Sequence, residues 1–154
     1  MKNLLSQLSI VGLFMFLLVV SAAAQSLRVE QIRVQLFLEH SGKLSDDLIR
    51  TKPTLWNTLA GEGEAGEPAS SFLISIVVTG KESRNDAVVV RVTNSKSKKT
   101  LVSRRFTSLA WREDDRSQAV KAIFVEDRLC APIRIVARTR SSQKIVDVPF
   151  ECGE

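Results

Sequence analysis

Residues 27–38 read LRVEQIRVQLFL, and their alternation changes phase partway along. Leu27 and Val29 share one parity, while Ile32, Val34, Leu36 and Leu38 take the other. Successive side chains of an extended chain point to opposite faces, so a strand that keeps both sets on a core needs one extra residue between them. A β-bulge near Glu30 and Gln31 supplies that residue and bends the strand, which can then serve both faces of a sandwich.

The same extended character recurs downstream, between clusters of turn residues. From Phe72 to Thr79, Phe72, Ile74, Ile76 and Val78 share one face and Leu73 and Val77 the other, which predicts a central strand. Beyond the turn set Gly80 to Asp86, Val88, Val90 and Val92 alternate with Val89, Arg91 and Thr93. Asn94 to Lys99 makes a basic hairpin tip, and Thr100 to Thr107 returns with Arg104 and Arg105, the kind of charge that protects a sheet edge. Val120, Ala122 and Phe124 define a fifth strand, and Ile133, Ile135 and Ala137 a sixth. Val146, Val148 and Phe150 define a seventh, joined to the sixth by the polar loop Arg140 to Gln143. Pro149 cannot donate to a ladder and assigns this last strand to an edge.

Seven such strands predict an all-β fold, an antiparallel β-sandwich of immunoglobulin-like or C2-like type with a long first loop. The antibody pattern of two central cysteines flanking a tryptophan is absent, so the pattern leaves the strand order open.

The chain has two cysteines, Cys130 and Cys152, which read as a disulfide in an oxidising compartment. A final hairpin centred on Ser141 sets them directly opposite each other. Lys2, the apolar stretch Ile10 to Val20 and the small residues Ser21 to Ala24 read in order as a secretory signal, too short for a span. The expectation is therefore a leader at 1–24, a single domain at 25–154, a secreted or periplasmic location and no stable membrane span after removal of the leader. Of 22 Lys and Arg, the loss of Lys2 leaves 21 against 17 Asp and Glu, a net charge of +4. So mild an excess suits an anionic cell-envelope component better than nucleic acid, and no aromatic residue interleaves Lys96, Lys98 and Lys99 as a nucleic-acid platform requires.

Three features bear on function. The connection from His40 to Ser70 is long for a compact domain. In it, Ser45 is read as the cap of a short helix with Asp46 and Asp47 in its first turn, Leu48 and Ile49 facing inward and Pro53 ending it. Leu55 and Trp56 together read as a large apolar anchor that packs this loop against the sandwich, with a ligand platform as the other reading. The segment Gly61 to Pro68 carries Glu62, Glu64 and Glu67 and reads as a solvated loop, with calcium as the one cofactor its carboxylates suggest. A second acidic run, Glu113, Asp114 and Asp115 beside Trp111, belongs to the same candidate ligand-binding set if the two loops share one end of the sandwich. Metal binding through sulfur is not expected, because two cysteines and one histidine are too few for a four-ligand zinc site. His40 has no serine elbow or free thiol to partner it, so ordinary hydrogen bonding is its reading and no catalytic residue is assigned.

Leu55, Trp56, Asn57 and Thr58 followed by Gly61, Glu62 and Gly63, with the ending Pro149 to Glu154, resemble small exported bacterial proteins of uncharacterised function. The resemblance implies export and an envelope setting and brings no activity or ligand. The sequence thus leads to a non-enzymatic binding or structural module of the cell envelope, with a protein or envelope partner held by the long loop or a strand edge. A calcium-dependent surface or membrane-docking module is the alternative, and a small hydrolase using His40 is a distant third.

Overall fold

A computed structural model describes residues 26–80, 87–111, 117–126 and 130–152. The leader expected at 1–24, the acidic run Glu113 to Asp115, most of the turn set before Val88 and the last two residues lie outside them.

The strands are β1 (Arg28–Leu38), β2 (Lys43–Leu44), β3 (Ser71–Thr79), β4 (Val88–Asn94), β5 (Thr100–Phe106), β6 (Gln118–Glu126), β7 (Ile133–Arg138) and β8 (Gln143–Val148). They form two four-stranded sheets, β2-β1-β3-β6 and β5-β4-β7-β8, in which every ladder is antiparallel. The connections β3 to β4, β5 to β6 and β6 to β7 change sheet, whereas β4 to β5 and β7 to β8 are hairpins. In immunoglobulin lettering the sheets are A-B-E and C′-C-F-G, with the two-residue β2 as an extra edge. The strand order left open by the sequence is thus the immunoglobulin one.

The core lies between the inner rows of these sheets. Ile32, Val34 and Leu36 of β1, Phe72, Ile74, Ile76 and Val78 of β3, and Ala119, Ile123 and Val125 of β6 make one layer. Val88, Val90 and Val92 of β4 and Ile133, Ile135 and Ala137 of β7 make the other, and all these side chains are buried. β-Branched residues dominate both rows and suit a pleated, half-buried surface. Phe72 and Phe150, with ring centroids 5.4 Å apart, close one end of the sandwich between the sheets.

The expected bulge occurs where the phase changes. The β1–β3 register shifts between Val29 and Gln31, leaving Glu30 as the extra residue, and Leu27 and Val29 join Ile32 and Val34 in the core. β5 with Arg104 and Arg105, and β8, are both edges, as expected.

Four expectations are corrected. β6 buries Ala119, Ile123 and Val125, so Val120, Ala122 and Phe124 lie on the outer face instead of the core. Both parities of this strand are apolar, and register decides between them: Ile74 stands opposite Ile123, and Leu73 opposite Phe124. β8 ends at Val148, so Pro149 follows the strand and does not lie inside it. The β7–β8 loop is Thr139 to Ser142, and Gln143 is already in the ladder, opposite Arg138. Finally, the cysteines are not a directly opposed pair. The register joins Arg138 to Gln143 and Ile133 to Val148, so the loop has an even number of residues and its centre falls between Arg140 and Ser141. The Cys130–Cys152 disulfide exists, with Cα atoms 4.7 Å apart, but it forms beyond the last rung of the ladder.

That bond closes a loop with a sequence separation of 22 and ties down the segment that carries Phe150. Replacing both cysteines by serine should lower stability by about 3 kcal/mol in the chain-entropy description. Urea unfolding of the two proteins checks this; an unchanged midpoint would show that the ladder alone holds the C-terminal segment.

Candidate functional site

The first loop is a folded layer along the open side of the sandwich. It contains β2, a single-turn helix α1 (Leu48–Thr51) and two 3-10 turns, Thr58–Ala60 and Gly63–Ala65. Its start seals the free edge of β1. Phe37 and Leu38 pair with β2, the Leu36 N–H donates to Ser45 Oγ at 2.9 Å, and the Val34 N–H donates to Asp47 Oδ1 at 3.0 Å. The same Asp47 oxygen accepts from the Ile49 N–H at 3.2 Å. Asp47 is therefore the helix cap and neither Asp46 nor Asp47 lies in the first turn, contrary to the expected capping by Ser45. The reason is competition: Ser45 is held by β1, and the carboxylate two residues on satisfies a strand and a helix end together. Leu48 is buried and Ile49 half-buried, as expected, and Lys52 in a left-handed conformation ends the turn before Pro53.

Leu55, not Trp56, is the anchor. Leu55 is 5% exposed and Trp56 45%, because this short piece is extended and neighbouring side chains diverge. It runs parallel to the segment after β8: the Glu151 N–H donates to Leu55 O at 3.1 Å, and the Asn57 N–H donates to Glu151 O at 2.8 Å.

The glycine-rich segment is solvent-exposed, as read, and is also folded by its own hydrogen bonds. Thr58 O accepts from the Gly61 and Ala69 N–H groups. A Cβ on Gly63 (φ +71°) would lie 2.9 Å from Thr54 O, and one on Gly61 (φ +77°) 2.7 Å from Pro68 N, so glycine is what permits the approach. Each carboxylate serves a different donor: Glu62 takes Asn57 Nδ2, Glu64 the Thr54 N–H and Glu67 the Ser41 N–H. Trp111 bridges Ala119 at the start of β6, beside the Thr79 end of β3, whereas Trp56 lies with the loop that enters β3 at Ser71. Those two ends of β3 are separated by roughly 26 Å at about 3.3 Å per residue. The structure thus brings Trp56, Glu62, Glu64 and Glu67 into one loop and sets Trp111 at the other end; Asp114 and Asp115 lie outside the described residues. His40 is exposed in the turn after β1, and among the described residues no three His, Cys, Asp or Glu side chains gather.

What the sequence does not reveal is a groove of about 390 Å³ between α1 and β8. Leu48, Ile49, Pro53 and Leu55 form one wall and Val146, Val148 and Pro149 the other, with Lys52 and Asp147 also in the lining. β8 is an edge strand, with β7 on one side and the groove on the other. Beyond the end of β8 the loop meets the chain in an isolated parallel bridge between Trp56 and Glu151. A second hollow of about 350 Å³ lies beside β1, where Ser45 and Asp47 already occupy the strand's main-chain donors. At the lip of the first groove Asp147 takes two hydrogen bonds from its cross-strand partner Arg134, at 2.8 and 3.0 Å, and this holds its carboxyl below the ordinary range.

Two outcomes follow from this geometry. Asp47→Ala should cost about 1–2 kcal/mol, since it orphans a strand N–H and a helix end together; Asp46→Ala should change stability by less than about 0.5 kcal/mol. Chemical denaturation of both variants checks this. Carbon-detected NMR titration should show Asp147 titrating below a normal aspartate, and moving up in Arg134→Gln. Because its folded pKa is depressed, the pair's small contribution is present at neutral pH and disappears as pH falls through that value.

No family model matches the chain, and no relative was found among curated proteins. Among solved structures it is similar to an immunoglobulin-like protein from Pseudomonas aeruginosa, with 8% sequence identity and a TM-score of 0.46, covering 86% of this chain and 100% of that one.

Proposed function

We propose that this chain is an exported, non-catalytic binding module that holds an extended, apolar segment of a protein partner in the groove between α1 and β8. The observation that carries the reading is the combination of an apolar wall with a strand edge. A peptide laid along such an edge gains main-chain hydrogen bonds, while alternate side chains enter the apolar trough. The chain just past this edge already pairs with extended backbone, since Leu55 and Asn57 bond to Glu151 in an isolated parallel bridge. A segment in the groove would continue that pairing along Val146 to Val148. The rigid loop adds to the case, because a wall held by its own hydrogen bonds loses little entropy on binding.

Export is supported by the disulfide, which persists in oxidising compartments, and by the order of charge, apolar run and small residues in 1–24. No helix among the described residues is long and apolar enough to cross a membrane. A secreted or periplasmic location is the corresponding part of the proposal.

Selection from a random peptide library on the immobilised protein tests the reading. Enriched peptides should be extended and apolar at alternate positions, should shift the amide signals of Ile49, Leu55 and Val146, and should bind at least about tenfold more weakly to Ile49→Glu, a loss of about 1.4 kcal/mol. Peptides whose shifts map away from the groove, or a library that yields no binder, would sink it.

A further inference from the structure

We infer that the edge of β6 is a homodimer interface, in which two copies pair antiparallel and join their β2-β1-β3-β6 sheets into one. The other three sheet edges are each blunted. β2 is two residues long and is followed by Ser45 and Asp47 bonding to β1; β5 carries Arg104 and Arg105; β8 runs into Pro149 and is flanked by α1. β6 has nine residues, no proline, and among the described residues a cross-edge bridge only from Trp111, at Ala119. Its one cation, Lys121, is drawn toward the Phe106 ring of β5, 5.8 Å from the centroid. A long apolar edge without such guards is competent to pair with another chain.

The outer face beside this edge is also apolar. Val77 stands opposite Val120, Ser75 opposite Ala122, and Leu73 opposite Phe124. Val120 and Phe124 are 47% and 48% exposed. Phe124 leans across the sheet to meet Phe37 edge-to-face at 6.1 Å, so the largest side chain of the row does not overhang the edge. Pairing two copies would merge two such stripes and exclude water from the Val120 and Ala122 positions at the seam.

The occupant is a second copy because β6 can pair with itself over most of its length in one register. Opposed residues in a continuous sheet share a face, so a two-fold axis passes through a residue of the strand. An axis at Lys121 sets two ammonium groups against each other. An axis at Ala122 drives Val125 of the second copy into the place held by Trp111 at Ala119. An axis at Ile123 keeps the two ammonium groups apart, sets no described residue of the second copy against Ala119, and uses the stretch Val120 to Glu126, with Ala122 opposite Phe124 and Val120 opposite Glu126 of the second copy.

Sedimentation equilibrium of the protein purified from an exporting host should show reversible dimers. Ala122→Lys, an exposed outer-face change, should weaken the dimer at least tenfold with little change in melting temperature, whereas Ile145→Lys on β8 should leave it intact. A mixture of Val120→Cys and Glu126→Cys should form a crosslinked pair under oxidation, and Val120→Cys alone should not. A wild-type monomer at millimolar concentration, a dimer indifferent to Ala122→Lys, or crosslinking without the predicted partner preference would overturn the inference.

Discussion

The first strand has to stay in its own sheet and still keep both of its apolar sets on the core, and the extra residue Glu30 is what lets it. Without the bulge, Leu27 and Val29 would point to solvent whenever Ile32, Val34 and Leu36 point inward. With it, the start of β1 turns toward the opposite sheet, where Leu27 O accepts from the hydroxyls of Thr139 and Ser141, both at 2.7 Å. The Val29 N–H donates to Ser142 Oγ, and Lys144 Nζ donates to Glu30 O. The β7–β8 hairpin is thereby tied to β1 at one end, while the disulfide and the Phe72–Phe150 contact hold the other.

That arrangement determines where the free surfaces lie. The β1 side of the sandwich must be closed, because only the two-residue β2 flanks β1 there and β8 is an edge, and the first loop closes it with side chains as well as strand pairing. Asp47 is the economical part of the design, one carboxylate serving a strand N–H and a helix N–H. The closure leaves a groove between α1 and Val146 to Pro149. On the opposite side, β5 and β6 face each other with Lys121 and Phe106 bridging the seam. The two surfaces differ in kind: a trough built by a loop on one side, and on the other a strand edge that among the described residues is bridged only by Trp111 at Ala119.

The carboxylates of the first loop show how a composition signal can have a structural cause. Three glutamates among glycines suggest a cation site, yet each has its own N–H donor, on Asn57, Thr54 and Ser41 respectively. Glycines at positive φ allow the backbone to turn close to itself, and acceptors are then needed for the donors that the turns leave over.

From the residues alone one could read the strands, the bulge, the edge character of β5 and β8, and the existence of a disulfide. These depend on periodicity, on charge and on the presence of only two cysteines, all local properties of the chain. Register, and everything that depends on it, was decided by tertiary structure. β6 is apolar on both parities, so only its alignment with β3 could bury Ala119, Ile123 and Val125 and leave Val120, Ala122 and Phe124 outside. Likewise the choice of Leu55 over Trp56 as anchor, and of Asp47 over Ser45 as cap, was made by what β1 and the segment after β8 offered as hydrogen-bond partners. The groove lies between residues about a hundred positions apart, and no local pattern encodes a space that exists only when two distant segments meet.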